Sequence, residues 1–200
     1  MIEVSERLSY WTAVHPSWKP NPEWPPEVGC VLYDNDDALV LIDPLIRDEW
    51  AWLDEAAAGR SVAVLLTAPW HLRSAPEAAT RYRAGVWAAP TAHALLDELP
   101  WLDSLPEGVE AVSPRGVDEG QVAFYIHSER ALVVAEIFAG TDAGLEVRPS
   151  PGTVDEREFI DSLRELEELE IERVLVAHGP PVLSGGSEAI AAALRRFGSR

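Results

Sequence analysis

The chain reads as short apolar runs that stop abruptly at polar, glycine or proline turns. Residues 30–33 and 38–42 alternate or run apolar around the turn Asp34-Asn35-Asp36-Asp37, a pattern that predicts a β-hairpin closed by Asp43-Pro44. Over 48–58, Trp50, Leu53 and Ala57 recur at helical spacing, with Gly59 at the position of a C-terminal cap. The continuous apolar run 61–67 reads as a strand buried on both faces. Ser74-Ala75-Pro76-Glu77 has the form of a capping box, so a helix is expected from there to about 84. A strand over 86–89 and a short helix over 91–99 follow, the latter stopped by Pro100. Residues 109–113, 121–127 and 131–138 are strand-like, the last two joined by Ser128-Glu129-Arg130. Thr153-Val154-Asp155-Glu156 is a second capping box, opening a helix to about 170 with Phe159, Leu163 and Leu166 along one stripe. A final strand, 173–177, breaks at His178-Gly179-Pro180-Pro181, and a last helix covers about 187–197.

This order of β-rich segments, then β-α-β-α, then strands, then α-β-α, fits neither a doubly wound sheet nor a pure β-sandwich. It predicts an α/β (α+β) architecture of two packed mixed sheets with helices on the outer faces. A length of 200 residues supports one core, so 1–200 is expected to be a single domain. One segment stands apart. Residues 15–26 carry five prolines and two tryptophans, which predicts an extended loop. Trp18 and Trp24 either pin that loop to the core, the reading we favour, or form an aromatic flap over a pocket.

Charge and composition narrow the functions available. The net charge of −18, from 34 acidic and 16 basic residues, argues against nucleic acid or an anionic membrane as partner. No apolar run approaches a membrane span, and Met1–Glu6 shows neither the basic nor the apolar region of a secretory signal, so a cytoplasmic protein is expected. The single Cys30 excludes an internal disulfide framework and a multi-thiolate zinc site.

The candidate chemistry sits where strands end. Four such places are Asp43 after Leu41-Ile42; Thr67-Ala68-Pro69-Trp70-His71-Leu72-Arg73-Ser74; Glu136 after Ala135; and Ala177-His178-Gly179-Pro180-Pro181. Their order and spacing resemble the metallo-β-lactamase superfamily over about residues 28–194. There, an early strand ends in Asp, a later one leads into His-x-His-x-Asp-His, a hairpin strand ends in Gly-Asp, and a last strand ends in Gly-His-Gly-Pro-Pro. The resemblance implies a metallo-β-lactamase-like αββα sandwich and metal-assisted hydrolysis, in which two ions clamp a hydroxide.

Carried over residue by residue, the ligand set is mostly missing. Ala68 and Trp70 stand at the first two His positions, Leu72 and Arg73 at the following Asp and His, and Val117 at the next ligand position. Only Glu136 and His178 retain ligand-capable groups, so no dinuclear metal is expected. His71 lies one position from the second ligand place. Turned inward, it would complete an alternative site for one zinc or iron ion with Glu136 and His178. Arg73 is expected to pair with Glu136 or to bind an anionic group. His71 and His178 are the candidate catalytic residues, as bases. Asp43, Trp70, Arg73 and Glu136 are the candidate ligand-binding residues. The first expectation is a binding protein or pseudoenzyme that uses no cofactor and takes a small anionic molecule. The second is a hydrolase of an ester or thioester with a mononuclear or metal-free site. The third is a homo-oligomer whose interface includes the Pro/Trp segment.

Overall fold

A computed structural model describes residues 1–20, 24–96, 98–118, 120–149 and 155–199. A six-stranded sheet runs in chain order: β1 (Ile2–Glu3), β2 (Leu8–Val14), β3 (Glu27–Asp34), β4 (Ala38–Ile42), β5 (Ser61–Leu65) and β6 (Gly85–Trp87). The β1 to β4 pairs are antiparallel, and β4-β5 and β5-β6 are parallel. The second sheet comprises β7 (Val109–Val112), β8 (Ala123–Ile126), β9 (Ala131–Val134) and β12 (Arg173–Val176), in the order β12-β9-β8-β7. Its antiparallel pairs carry a parallel edge, β9-β12. A separate hairpin joins β10 (Phe138–Thr141) to β11 (Gly144–Val147).

Three apolar clusters show why the layers form. Between the sheets, Leu8, Tyr10, Val31, Val40 and Leu65 of one meet Phe124, Ile126, Val133 and Leu175 of the other. Strands buried on both faces must be covered again outside. Helices α1 (Trp50–Ala56) and α2 (Ala75–Tyr82) cover the first sheet, with Leu53, Ala75 and Ala78 packed on Leu41, Val64 and Val86. Helices α3 (Glu156–Arg164) and α4 (Gly186–Phe197) cover the second, with Phe159, Leu163, Ile190 and Leu194 on Leu132 and Val174. The αββα sandwich expected from the element order is the observed one.

Several local expectations are corrected. Ser74 stands at the N-cap of α2 as expected, but its side chain makes no capping bond; its hydroxyl instead accepts the Ile46 N–H at 3.0 Å. The segment after Pro90 is a 3-10 turn, Pro90–Leu95, not an α-helix. Thr153 and Val154 lie outside the described residues, and the cap of α3 is Asp155, which accepts the Glu158 N–H at 2.9 Å. The run 131–138 breaks at Ala135–Ile137, so Phe138 opens a new strand.

The sheets are stitched together beside the last strand's end. The Gly29 N–H donates to Ala177 O at 2.8 Å, and the Tyr10 hydroxyl donates to Val176 O at 3.1 Å. A Cβ on Gly29 would lie 2.2 Å from Val176 O, so this approach requires glycine. The Gly140 N–H holds His178 O at 2.9 Å from the other side, which fixes where the final strand releases its histidine.

Candidate functional site

The ends of β4, β5, β9 and β12 converge. Asp43 follows β4 in a left-handed conformation with φ of 49°, unusual for a non-glycine residue, and is buried. The conformation turns its carboxylate toward the end of β5. One oxygen, Oδ1, accepts the Thr67 N–H at 2.9 Å, and Oδ2 accepts the Thr67 hydroxyl.

The turn after Thr67 then decides the site. Pro69–His71 form a 3-10 turn. Its geometry sends Trp70 outward, 46% exposed, and His71 inward, 3% exposed. The inward turn expected as the alternative for His71 is thus the one that occurs. His71 Nδ1 lies 2.9 Å from Asp43 Oδ2 and 3.1 Å from the Thr67 hydroxyl oxygen, while Nε2 lies 3.2 Å from Glu136 Oε1. The same oxygen faces His178 Nε2 at 3.4 Å. The site is therefore a chain: Asp43, His71, Glu136, His178.

Both nitrogens of His71 point at carboxylate oxygens, and a carboxylate can only accept. Burial and the nearby Arg73 favour neutral His71, but Asp43 and Glu136 outweigh them and raise its pKa. The carboxylates respond in kind. Burial would raise Asp43, yet the charge and hydrogen bond of His71, with help from Arg73 and Thr67, lower it. Burial would likewise raise Glu136, yet the two imidazoles hold it well below the usual carboxylate range. The consistent state is an imidazolium between two carboxylates.

Arg73 does not pair with Glu136, contrary to expectation. Also left-handed, with φ of 38°, it directs Nη1 to Gly29 O and Asp43 O, both at 2.8 Å. It satisfies two carbonyls and holds β3 against the Asp43 turn. The partner of Glu136 is His71, which reaches it from the same turn with a shorter side chain.

Above the chain lies a cavity of about 750 Å³, within the range of small-molecule sites. His15, Trp24, Trp70, Arg73, Glu136 and His178 line it. Trp24 lies on His178, with ring centroids 5.0 Å apart, and its carbonyl accepts the Trp18 indole N–H at 3.2 Å. The Pro/Trp segment thus serves both readings weighed for it: Trp24 packs against the core and also walls the cavity. Residues 21–23 lie outside the description. All six candidate residues, Asp43, Trp70, His71, Arg73, Glu136 and His178, meet at this place. Sequence reasoning missed Thr67 and His15 as parts of it, whereas Trp24 is the flap residue weighed from the sequence. The polar Thr ending an apolar strand was the available signal for Thr67; His15 comes from a loop with no periodicity to read.

The donor set does not fit a dinuclear metal centre. Ala68 is fully buried, Leu72 packs on the outer helices' cluster and Val117 on that of the second sheet. Asp43 spends both oxygens on Thr67 and His71. Among the described residues, no group of three or more His, Cys, Asp or Glu is arranged to hold a metal ion.

No family model and no curated protein matches the chain by sequence. Solved structures do match by fold. A metallo-β-lactamase from Erythrobacter litoralis superposes with a TM-score of 0.71 at 15% identity, covering 98% of this chain and 94% of that one. An archaeal metallo-β-lactamase superfamily protein from Sulfolobus tokodaii gives 0.64 at 17% identity, covering 96% and 86%. A metallo-β-lactamase from Pontibacter korlensis gives 0.70 at 15% identity, covering 98% and 97%. The fold is that of the metallo-β-lactamases.

Proposed function

We propose that this chain is a small-molecule-binding protein built on a metallo-β-lactamase fold, in which the imidazolium of His71 takes over the charge-balancing task of the metal ions. The observation that carries this reading is the His71 ring, buried and bound on both sides by Asp43 and Glu136 beneath an open cavity. A protonated ring held by two carboxylates is a poor base, because removing its proton would leave Asp43 and Glu136 without the charge they share between them. Glu136, kept ionised by two imidazoles, is a weak base as well. These features support binding over hydrolysis by His71 or Glu136.

The ligand in this reading is a small organic anion. The guanidinium of Arg73 lines the cavity and spends only Nη1 on backbone carbonyls, so its Nε/Nη2 edge offers the two parallel donors that a carboxylate accepts. Trp24 and Trp70 supply walls for an apolar body.

Elemental analysis of protein purified without chelator tests the metal-free reading. The expected result is far less than one zinc, iron or manganese per chain, with a melting temperature unmoved by EDTA. One or two equivalents that survive gel filtration, with stability lost on chelation, would overturn it. Turnover of a generic ester that disappears in His178→Ala would instead favour a metal-free hydrolase, since His178 lines the cavity.

A further inference from the structure

Asp118, Glu146 and Arg148 are among the polar residues that line the cavity, and two further polar edges border it. The first is the Nε/Nη2 edge of Arg73. Nη1 uses both its hydrogens on Gly29 O and Asp43 O, which leaves three N–H donors without partners among the described residues. Neither Nε nor Nη2 is among the buried polar atoms that lack a partner, and Arg73 lines the cavity. The second is Oε2 of Glu136. Both imidazoles meet Oε1, no described residue bonds Oε2, and Oε2 is not sealed either. A quarter of the Glu136 side chain is accessible, and the residue lines the same cavity.

These edges want opposite things. The guanidinium edge takes an anion, and the ionised carboxylate oxygen takes a donor. An occupant with only an anionic group would leave Oε2 desolvated with no partner, which is costly for a charged acceptor. The apolar surfaces between them, Trp24, Trp70, Val28, Val147 and Pro149, exclude a ligand that is polar throughout. The anionic end belongs near Arg73 and His15. His15 is held below its usual pKa by burial and then by Arg73, His71 and His178.

We propose that the cavity selects small carboxylates that also bear a hydroxyl or ammonium group and an apolar or aromatic body, with the carboxylate on Arg73 and the donor on Glu136. The inference rests on the binding function proposed above and adds the second recognition point. It requires no covalent step and no added cofactor.

The test uses the full chain and four probes of one skeleton: 3-phenylpropionate, 3-phenyllactate, 2-methoxy-3-phenylpropionate and phenylalanine. Binding is read by titration calorimetry and by saturation-transfer NMR. Phenyllactate is expected to bind about tenfold more tightly than 3-phenylpropionate, the scale of one hydrogen bond to a charged acceptor. The methoxy compound, of similar size but without a donor, is expected to lose that gain. Arg73→Gln should weaken all the probes, and Glu136→Gln should remove the preference among them. Because Glu136 also holds His71, the methoxy comparison in the unmodified protein stands independently of whether that variant folds. If 3-phenylpropionate and the methoxy compound bind as tightly as phenyllactate, the donor-recognition inference falls and the anion-binding function survives. If none of the four binds, both fall.

Discussion

His71 holds two carboxylates that would otherwise be buried without a counter-charge. Removing one partner from such an arrangement is strongly destabilising, by about 3–5 kcal/mol. His71→Leu is therefore expected to lower the urea midpoint by a corresponding amount, or to prevent folding. The milder His71→Gln, which keeps one donor, gives a pH test. His71 has a raised native pKa, so its contribution is complete below the ordinary 6.5 and is lost as pH rises through the native value. Asp43 and Glu136 have lowered native pKa values, so theirs are complete above the ordinary 3.8 and 4.5 and are lost as pH falls through the native values. The network is intact between roughly 4.5 and 6.5. Urea midpoints of the unmodified protein should decline as pH climbs above that window, and the decline should vanish in His71→Gln; equal slopes would contradict the assignment. The sequence named all four members of the chain but mispaired them. Arg73 has the stronger permanent charge, which made it the obvious partner for Glu136. What chose His71 instead was the 3-10 turn at Pro69–His71, which places the ring inward and sends Arg73 to backbone carbonyls.

Among the elements, the long strands and the helices with a clear apolar stripe were legible, because burial on one or both faces leaves a period in the sequence. Strands β3, β4, β5 and β12 and helix α4 fall close to their expected ranges. Strand β2 and the β10-β11 hairpin were not anticipated. Leu8–Val14 mixes aromatic and small polar residues, and its pairing with β3 is set by a partner well along the chain. The helices were expected too long where 3-10 turns take over, as at Glu165–Glu168 after α3. The junction of β3 with β12 makes the sharpest demand on a single residue. In Gly29→Ala the new Cβ would meet a backbone oxygen at 2.2 Å and the Tyr10 hydroxyl at 2.6 Å. Separating the strands to admit it is expected to cost about 1–3 kcal/mol. It should also shift the NMR signals of His178, which the end of β12 carries. A variant with unchanged stability and an undisturbed His178 would show that the contact is looser than described.

Across the whole molecule, the net charge of −18 contrasts with a site that is locally balanced. In the proposed state Asp43 and Glu136 contribute two negative charges, and His71 and Arg73 two positive ones. The surrounding sandwich follows the metallo-β-lactamase plan closely enough for superposition over nearly its full length. Fold and site are separable, which is why fold similarity here carries no reaction with it. Nitrogen-15 NMR of histidine-labelled protein inside the window of roughly 4.5 to 6.5 tests the account most directly. The account predicts that both ring nitrogens of His71 are protonated and that added zinc leaves them unchanged. A neutral His71 ring, or one whose Nε2 signal moves to a metal-bound position when zinc is added, would contradict it.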